Sequence, residues 1–255
     1  MSESSIAEAH SIVKHWLNPA LGVLQLEDIL PSHVAGVLEA VRESGASESR
    51  VRDVLAQLRA ILDQAVKDRH IRFNHCEHFK VKVRKAQVHA LTPEQRDKLD
   101  RVLRTRIPWM SAQVLLVILW TGLRVSEVLA LRRWDFDAEA KVLTVRAGKS
   151  DAAARRVDVP DCAVGVVERY LDTRQRPHQT TLRRALSAAC QKADVPPCRV
   201  HDLRHTRITT QLLAGVPVGY VSKQAGHANP ATTLKTYDHW IQVASKEQRR
   251  NWANA

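Results

Sequence analysis

The chain has 255 residues, 44% of them hydrophobic and 26% charged, the balance of an ordinary globular protein. Its formal net charge is +12 and unevenly spread: residues 1–90 hold 12 Lys/Arg against 11 Asp/Glu, residues 91–255 hold 27 against 16. No apolar run nears the roughly 18 residues of a membrane span, "MSESSIAEAH" has no secretory pattern, and Cys76, Cys162, Cys190 and Cys198 lack C-x-x-C spacing, so a reduced cytosolic protein with a polyanionic partner is expected.

In chain order, "SHVAGVLEAVRES" reads as a helix stopped at Gly45. Residues 47–70 follow with Val51, Val54, Leu55, Leu58, Ile61, Leu62, Ala65 and Val66 at helical spacing, and with Ser47 or Ser49 as N-cap. "FKVKVRKAQVHA" (79–90) then alternates basic and apolar residues and reads as an extended basic linker. A new helix starts at Thr92, with Pro93 in its first turn and Gln95 completing a capping box. "SAQVLLVILWTG" is a buried helix ended by Gly122. "KVLTVRAG" and "RRVDVP" alternate as two short strands joined through "KSDAAA". Amphipathic helices follow in "CAVGVVERYLDTR", "TLRRALSAACQKAD" and "HDLRHTRITTQLLAG", with a shorter one in "VPVGYVSKQAG". After an Asn-Pro turn signal, "NPATTLKTY" reads as a short helix.

The chemistry gathers around "RVHDLRHT". His201, Arg204 and His205 fall on one side of a helix, which fits a metal site, a phosphate site or a solvated face. Zinc has Cys190, Cys198, His201 and His205 within sixteen residues, but no acid stands between the histidines and Arg204 would set a cation beside the metal. Phosphate has more support. "TGLRVSE" places Arg124 after a helix-ending glycine, with Glu127 one turn on to orient it. "RAGKS" carries Lys149 at a hairpin tip, and "AGHANPATTLKTYDHW" offers His227 and Tyr237. Two guanidiniums can clamp phosphate oxygens bidentately, as an ammonium cannot.

In this order and at these spacings the set resembles the tyrosine recombinase (phage integrase) family, over residues 12–240 and most closely at "TGLRVSEVLALRRWDFD", "HDLRHT" and "AGHANPATTLKTYDHW". The family's T-G-x-R-x-x-E arginine, hairpin lysine, H-x-x-R pair, later G-H and tyrosine fall on Arg124, Lys149, His201, Arg204, His227 and Tyr237. The resemblance implies a mainly α protein with a small β-hairpin or sheet (α+β). Residues 1–85 would form a helical core-binding domain and 86–255 a mixed catalytic domain, closing as a C-shaped clamp on duplex DNA. It implies a site-specific recombinase that cuts and rejoins DNA through a 3′-phosphotyrosyl intermediate. Tyr237 would be the nucleophile, Arg124 and Arg204 the phosphate clamp and Lys149 the acid for the leaving 5′-oxygen. His201 would assist the tyrosine proton and His227 bond a phosphate oxygen.

Glu127 and His205 are expected in support, His205 holding its helix or Glu127. Lys80, Lys82, Arg84 and Lys85 of the linker are expected on DNA phosphates. No metal or other cofactor is implied, and the assembly would be a homotetramer on DNA, bacterial or phage-encoded and nucleoid-associated. Four departures from the family pattern are expected: no N-terminal arm-binding domain, a core-binding part that starts late at "AHSIVKHWLNPALG" with its usual first helix absent or shortened, only "QRPHQT" between two catalytic-domain helices, and "SKQAGH" in place of the commoner "LLGH". A DNA-binding accessory protein derived from a recombinase, and a type IB topoisomerase-like nicking-closing enzyme, are the alternatives. An intact tyrosine beside two arginines argues against the first, and the T-G-x-R and G-H contexts against the second.

Overall fold

The computed structural model describes residues 3–83, 88–146, 154–173, 176–227 and 229–253 (for 3–4 and 243–253, the backbone). The chain forms two compact units, Met1–Ala86 and Gln87–Ala255. Among the described residues, no helix is long and apolar enough to cross a membrane.

The first unit is helical: α1 (Glu3–Ile12), α2 (Asn18–Leu21), α3 (Pro31–Glu43) and α4 (Glu48–Lys67). Helical structure thus begins at Glu3, ahead of the stretch in which the core-binding part was expected to start. A π-helical turn at Val13–Leu17 joins α1 to α2. The wider turn comes just before Pro19, which lacks the N–H an ordinary helix would use. That interruption also hides the segment's period. Ser47 caps α4 by accepting from the Arg50 amide at 3.4 Å, and α4 buries Val51, Val54, Leu55, Leu58 and Leu62 against Val34, Val37, Leu38 and Val41 of α3. Phe79 and Val81 pack on the same core, while the alternating Lys80 and Lys82 are exposed. The Arg59 guanidinium fixes this extended stretch by donating to the Cys76 and Phe79 carbonyls, both at 2.9 Å.

The second unit is built around α6 (Trp109–Thr121), in which Val114 to Leu119 are at most 2% exposed. A helix apolar on all sides must be enclosed. It packs against α5 (Pro93–Arg106), α8 (Asp161–Asp172), α9 (Gln179–Ala193) and α10 (Val200–Leu213), with α7 (Val125–Ala130) following it. Each large side chain so buried contributes about 1.5–3 kcal/mol. Thr92, Pro93 and Gln95 start α5 as the capping box requires.

The sheet is antiparallel in the order β1 (Phe136–Asp137), β2 (Val142–Val145), β3 (Arg155–Asp158), pairing Phe136 with Leu143 and Val145 with Arg155. The sequence reading contained only β2 and β3. A two-residue strand is too short to alternate visibly. The chain ends in α11 (Val218–Ala225) and α12 (Pro230–Ala253), and a small core of Ile208, Leu212, Val221, Ala225 and Tyr237 joins these two helices to α10. Rather than ending as a short helix, α12 runs on to Ala253, bent at Tyr237 where φ is −117° and ψ 17°.

Candidate active site

Two glycine turns shape the site. Gly122 (φ +73°) ends α6 and Gly226 (φ +66°) ends α11 in the left-handed conformation that glycine adopts without strain. Such helix ends leave carbonyls without helical partners. Arg204, on α10, reaches both ends: Nη1 donates to the Gly122 carbonyl and Nη2 to the Ala225 carbonyl, each at 2.6 Å. The residue is 2% exposed. Burial, with Arg124 nearby, lowers its pKa to about 10, still well above neutrality.

Arg124 is the N-cap of α7, and Glu127 closes a local box around it. The carboxylate accepts from the Arg124 amide and from Arg124 Nη1, both at 2.8 Å, while Nη2 donates to the Gly226 carbonyl at 3.1 Å. Its side chain keeps 40% of its surface exposed, the open counterpart of Arg204. Burial would push the Glu127 carboxyl up, but hydrogen bonds from Arg155 and Arg124 overcome this and hold it at about 2.

The histidines divide. The Tyr237 hydroxyl and His205 Nδ1 share a hydrogen bond, and the His201 ring stands edge-on to His205 at 4.7 Å between centroids. Burial first, then the neighbouring His201, brings the His205 pKa to about 4, so its imidazole is neutral at pH 7. His201 is exposed and shifted downward, by burial and then by Arg204. His227 follows Gly226 and shares a 2.6 Å hydrogen bond with the Thr233 hydroxyl. Its pKa is pushed to about 4 by burial, then by Arg204 and Arg124. Tyr237 is 1% exposed, and burial raises its phenol to about 12 against the pull of Arg204.

Arg124, Arg204, His201, His227 and Tyr237 are therefore brought to one place. Lys149, Arg84 and Lys85 lie outside the described residues. Lys80 and Lys82 are exposed in the first unit. One expectation is corrected: His205 does not support Glu127, whose side-chain partners are Arg124 and Arg155, but meets the tyrosine hydroxyl. The zinc alternative also changes. Cys190 and Cys198 face each other at 3.6 Å, while His205 turns towards Tyr237. Sequence reasoning missed Arg155, read only as a strand residue. Its guanidinium grips both Glu127 oxygens at 2.9 and 3.0 Å. The contact spans 28 positions, and no local pattern announces it.

The phage integrase family model matches residues 89–242, more than half of the chain, and the chain belongs to that family. It is 26% identical over 220 residues to a Mycobacterium tuberculosis protein named as a prophage phiRv2 integrase, covering 74% of this chain and 58% of that one. It thus spans less than two thirds of that relative's length. Among solved structures it is similar to the Tn1549 transposon integrase in complex with transposon right end DNA, with TM-score 0.83, 18% identity, and coverage of 99% of this chain and 95% of that one. It is also similar to a lambda integrase tetramer bound to a Holliday junction, with TM-score 0.74, 17% identity, and coverage of 90% and 73%. The fold is that of the tyrosine recombinases, mainly helical with a small sheet.

Proposed function

We propose that the chain is a site-specific DNA recombinase that cuts and rejoins duplex DNA through a 3′-phosphotyrosyl intermediate. The observation that carries this is the convergence of two arginines, two histidines and a tyrosine on one spot. The Tyr237 oxygen attacks phosphorus, the bond to the 5′-oxygen breaks, and charge builds on the non-bridging oxygens. Arg124 and Arg204 stabilise that charge. Each guanidinium has five N–H groups, and the bonds described above leave some free on both. His227 donates to a phosphate oxygen. Lys149 returns a proton to the leaving 5′-oxygen. Phosphodiester energy is kept in the phosphotyrosine, so no metal or nucleotide is required.

The tyrosine proton has a nearer acceptor than the resemblance implied. His205, neutral at pH 7 and bonded to the hydroxyl in its buried position, takes it or holds it, with the His201 ring edge-on to His205. A side chain 1% exposed cannot meet a DNA phosphate where it stands. Tyr237 must therefore move outward about the bend in α12 before it attacks.

Residues 1–85 would act as the core-binding domain and 86–255 as the catalytic domain. Lys80, Lys82, Arg84 and Lys85 would lie along the DNA backbone, making affinity fall steeply with salt. By analogy with the lambda integrase tetramer, four copies would assemble on two duplexes, in a bacterial cytoplasm at the nucleoid. The test is to incubate the protein with genomic fragments, denature, recover covalent adducts and sequence their ends. Recurrent ends with wild-type protein and none with Tyr237→Phe are expected. A Tyr237→Phe protein that still forms adducts would overturn the assignment. DNA binding without adducts would mark an accessory protein, and nicking and closing without strand exchange a topoisomerase-like enzyme.

A further inference from the structure

We infer that Arg155 is a positioning residue of this site, one guanidinium that fixes the Arg124 turn and the turn before His227 to the Val145–Arg155 end of the β2–β3 pair as a single unit. The inference rests on the recombinase reading for its consequence, but its geometry stands apart from it. Nη1 and Nη2 donate to Oε1 and Oε2 of Glu127 at 3.0 and 2.9 Å, and Nε donates to the Gln224 carbonyl at 2.9 Å. The side chain is 7% exposed.

Both carboxylate oxygens of Glu127 are shared. Oε1 accepts from Arg124 Nη1 and Arg155 Nη1, and Oε2 from the Arg124 amide and Arg155 Nη2. Without the second guanidinium, the carboxylate could rotate and carry Arg124 with it. The guanidinium also lies against Gly226, where a Cβ would stand 2.6 Å from Cζ and Nη1. Gly226 is thus glycine twice over, for its positive φ and for this contact. Its carbonyl accepts from Arg124, and the next residue is His227. Along the backbone, Arg155 opens β3 opposite Val145.

The Glu127 carboxylate offsets the repulsion between Arg155 and the neighbouring Arg124 and Arg204. The fork makes three bonds to two partners at once, which a lysine ammonium cannot reproduce in the same plane. These bonds, from Nε, Nη1 and Nη2, go to Gln224 and Glu127, so Arg155 acts through these partners.

The experiment compares Arg155→Gln and Arg155→Lys with wild type in the full chain. Amide hydrogen exchange is followed by mass spectrometry over 121–130 and 222–227, with 47–70 of the first unit as internal reference. Faster exchange in both site segments, with the reference unchanged, is expected for Arg155→Gln. On DNA fragments recovered as wild-type adducts, adduct formation at saturating protein should slow by about 10- to 100-fold, the usual loss when the group orienting a site residue is removed. DNA affinity should be unchanged. The rate should also become acid-sensitive at a higher pH than in wild type, because Glu127 has lost its strongest partner. Wild-type exchange in both segments, or a wild-type rate and pH profile, would overturn the inference. Where Arg155→Gln melts as a whole, Arg155→Lys decides. A slowed rate at a near-native melting temperature supports positioning, and a wild-type rate refutes it. Should wild-type protein itself form no adduct, the recombinase reading fails, and the exchange arm alone decides on Arg155.

Discussion

The two units bury charge to different depths. In the first, the core of α3 and α4 is aliphatic, and ion pairs such as Arg42 with Glu39 and Glu48 sit outside it with 39–61% of each side chain exposed. In the second, Arg204 is 2% exposed, and Arg155 and Glu127 keep 7% and 15% of their side chains exposed. Surface pairs can be exchanged with little effect, whereas buried charges must find every partner or destabilise the fold. A unit that draws cations into its interior and satisfies them with helix-end carbonyls holds them in fixed directions. That is what stabilising charge on a phosphate demands and what a DNA-coating surface does not need.

The contrast can be broken first at Arg204. Arg204→Ala leaves the Gly122 and Ala225 carbonyls without their donor and opens a void, and should lower stability by about 3 kcal/mol in urea denaturation. A change below about 1 kcal/mol would show that solvent replaces the guanidinium freely. Acid provides the second test. His205 and His227 titrate near 4 in the fold but near 6.5 when unfolded, so the unfolded chain binds more protons between these values. Stability is then complete above pH 6.5 and drains as the pH falls towards 4. Glu127, held at about 2 against an ordinary 4.5, extends the loss downward from pH 4.5. The melting temperature should follow that course, and His205→Gln combined with His227→Gln should flatten its upper part. An unaltered slope in the double variant would remove these histidines from the account. The smallest effect belongs to the first unit, where Arg42→Ala should leave the urea midpoint indistinguishable from wild type. A cost equal to that of Arg204→Ala would erase the distinction between the units.

What the sequence made legible follows the reach of each interaction. Local interactions announce themselves: Thr92, Pro93 and Gln95 lie within one helical turn, as do Arg124 and Glu127. Gly122 and Gly226 stop helices where the pattern says they should. Long-range contacts do not. Arg155 and Glu127 are 28 positions apart and His205 and Tyr237 are 32, and no period or motif in the chain joins either pair. His205 was therefore expected in a supporting role away from the hydroxyl it meets. The first helix was obscured for a different reason, because Pro19 and the π turn before it shift the register in which Ile12, Leu17 and Leu21 reach the core.

The bend in α12 makes the tyrosine a fulcrum. The 16 residues of helix beyond it, 238–253, form an arm about 24 Å long at 1.5 Å per residue. If the backbone at Tyr237 straightens or folds by about 20°, the far end of that arm sweeps about 8 Å, while the ring itself travels far less. Trp240 and Ile241, at the start of this arm, pack on the core that holds Tyr237, so a swing of that size has to displace them together with the ring. Loading the end of this arm, by a bulky tag or a rigid fusion, would act on the phenol from a distance of several helical turns.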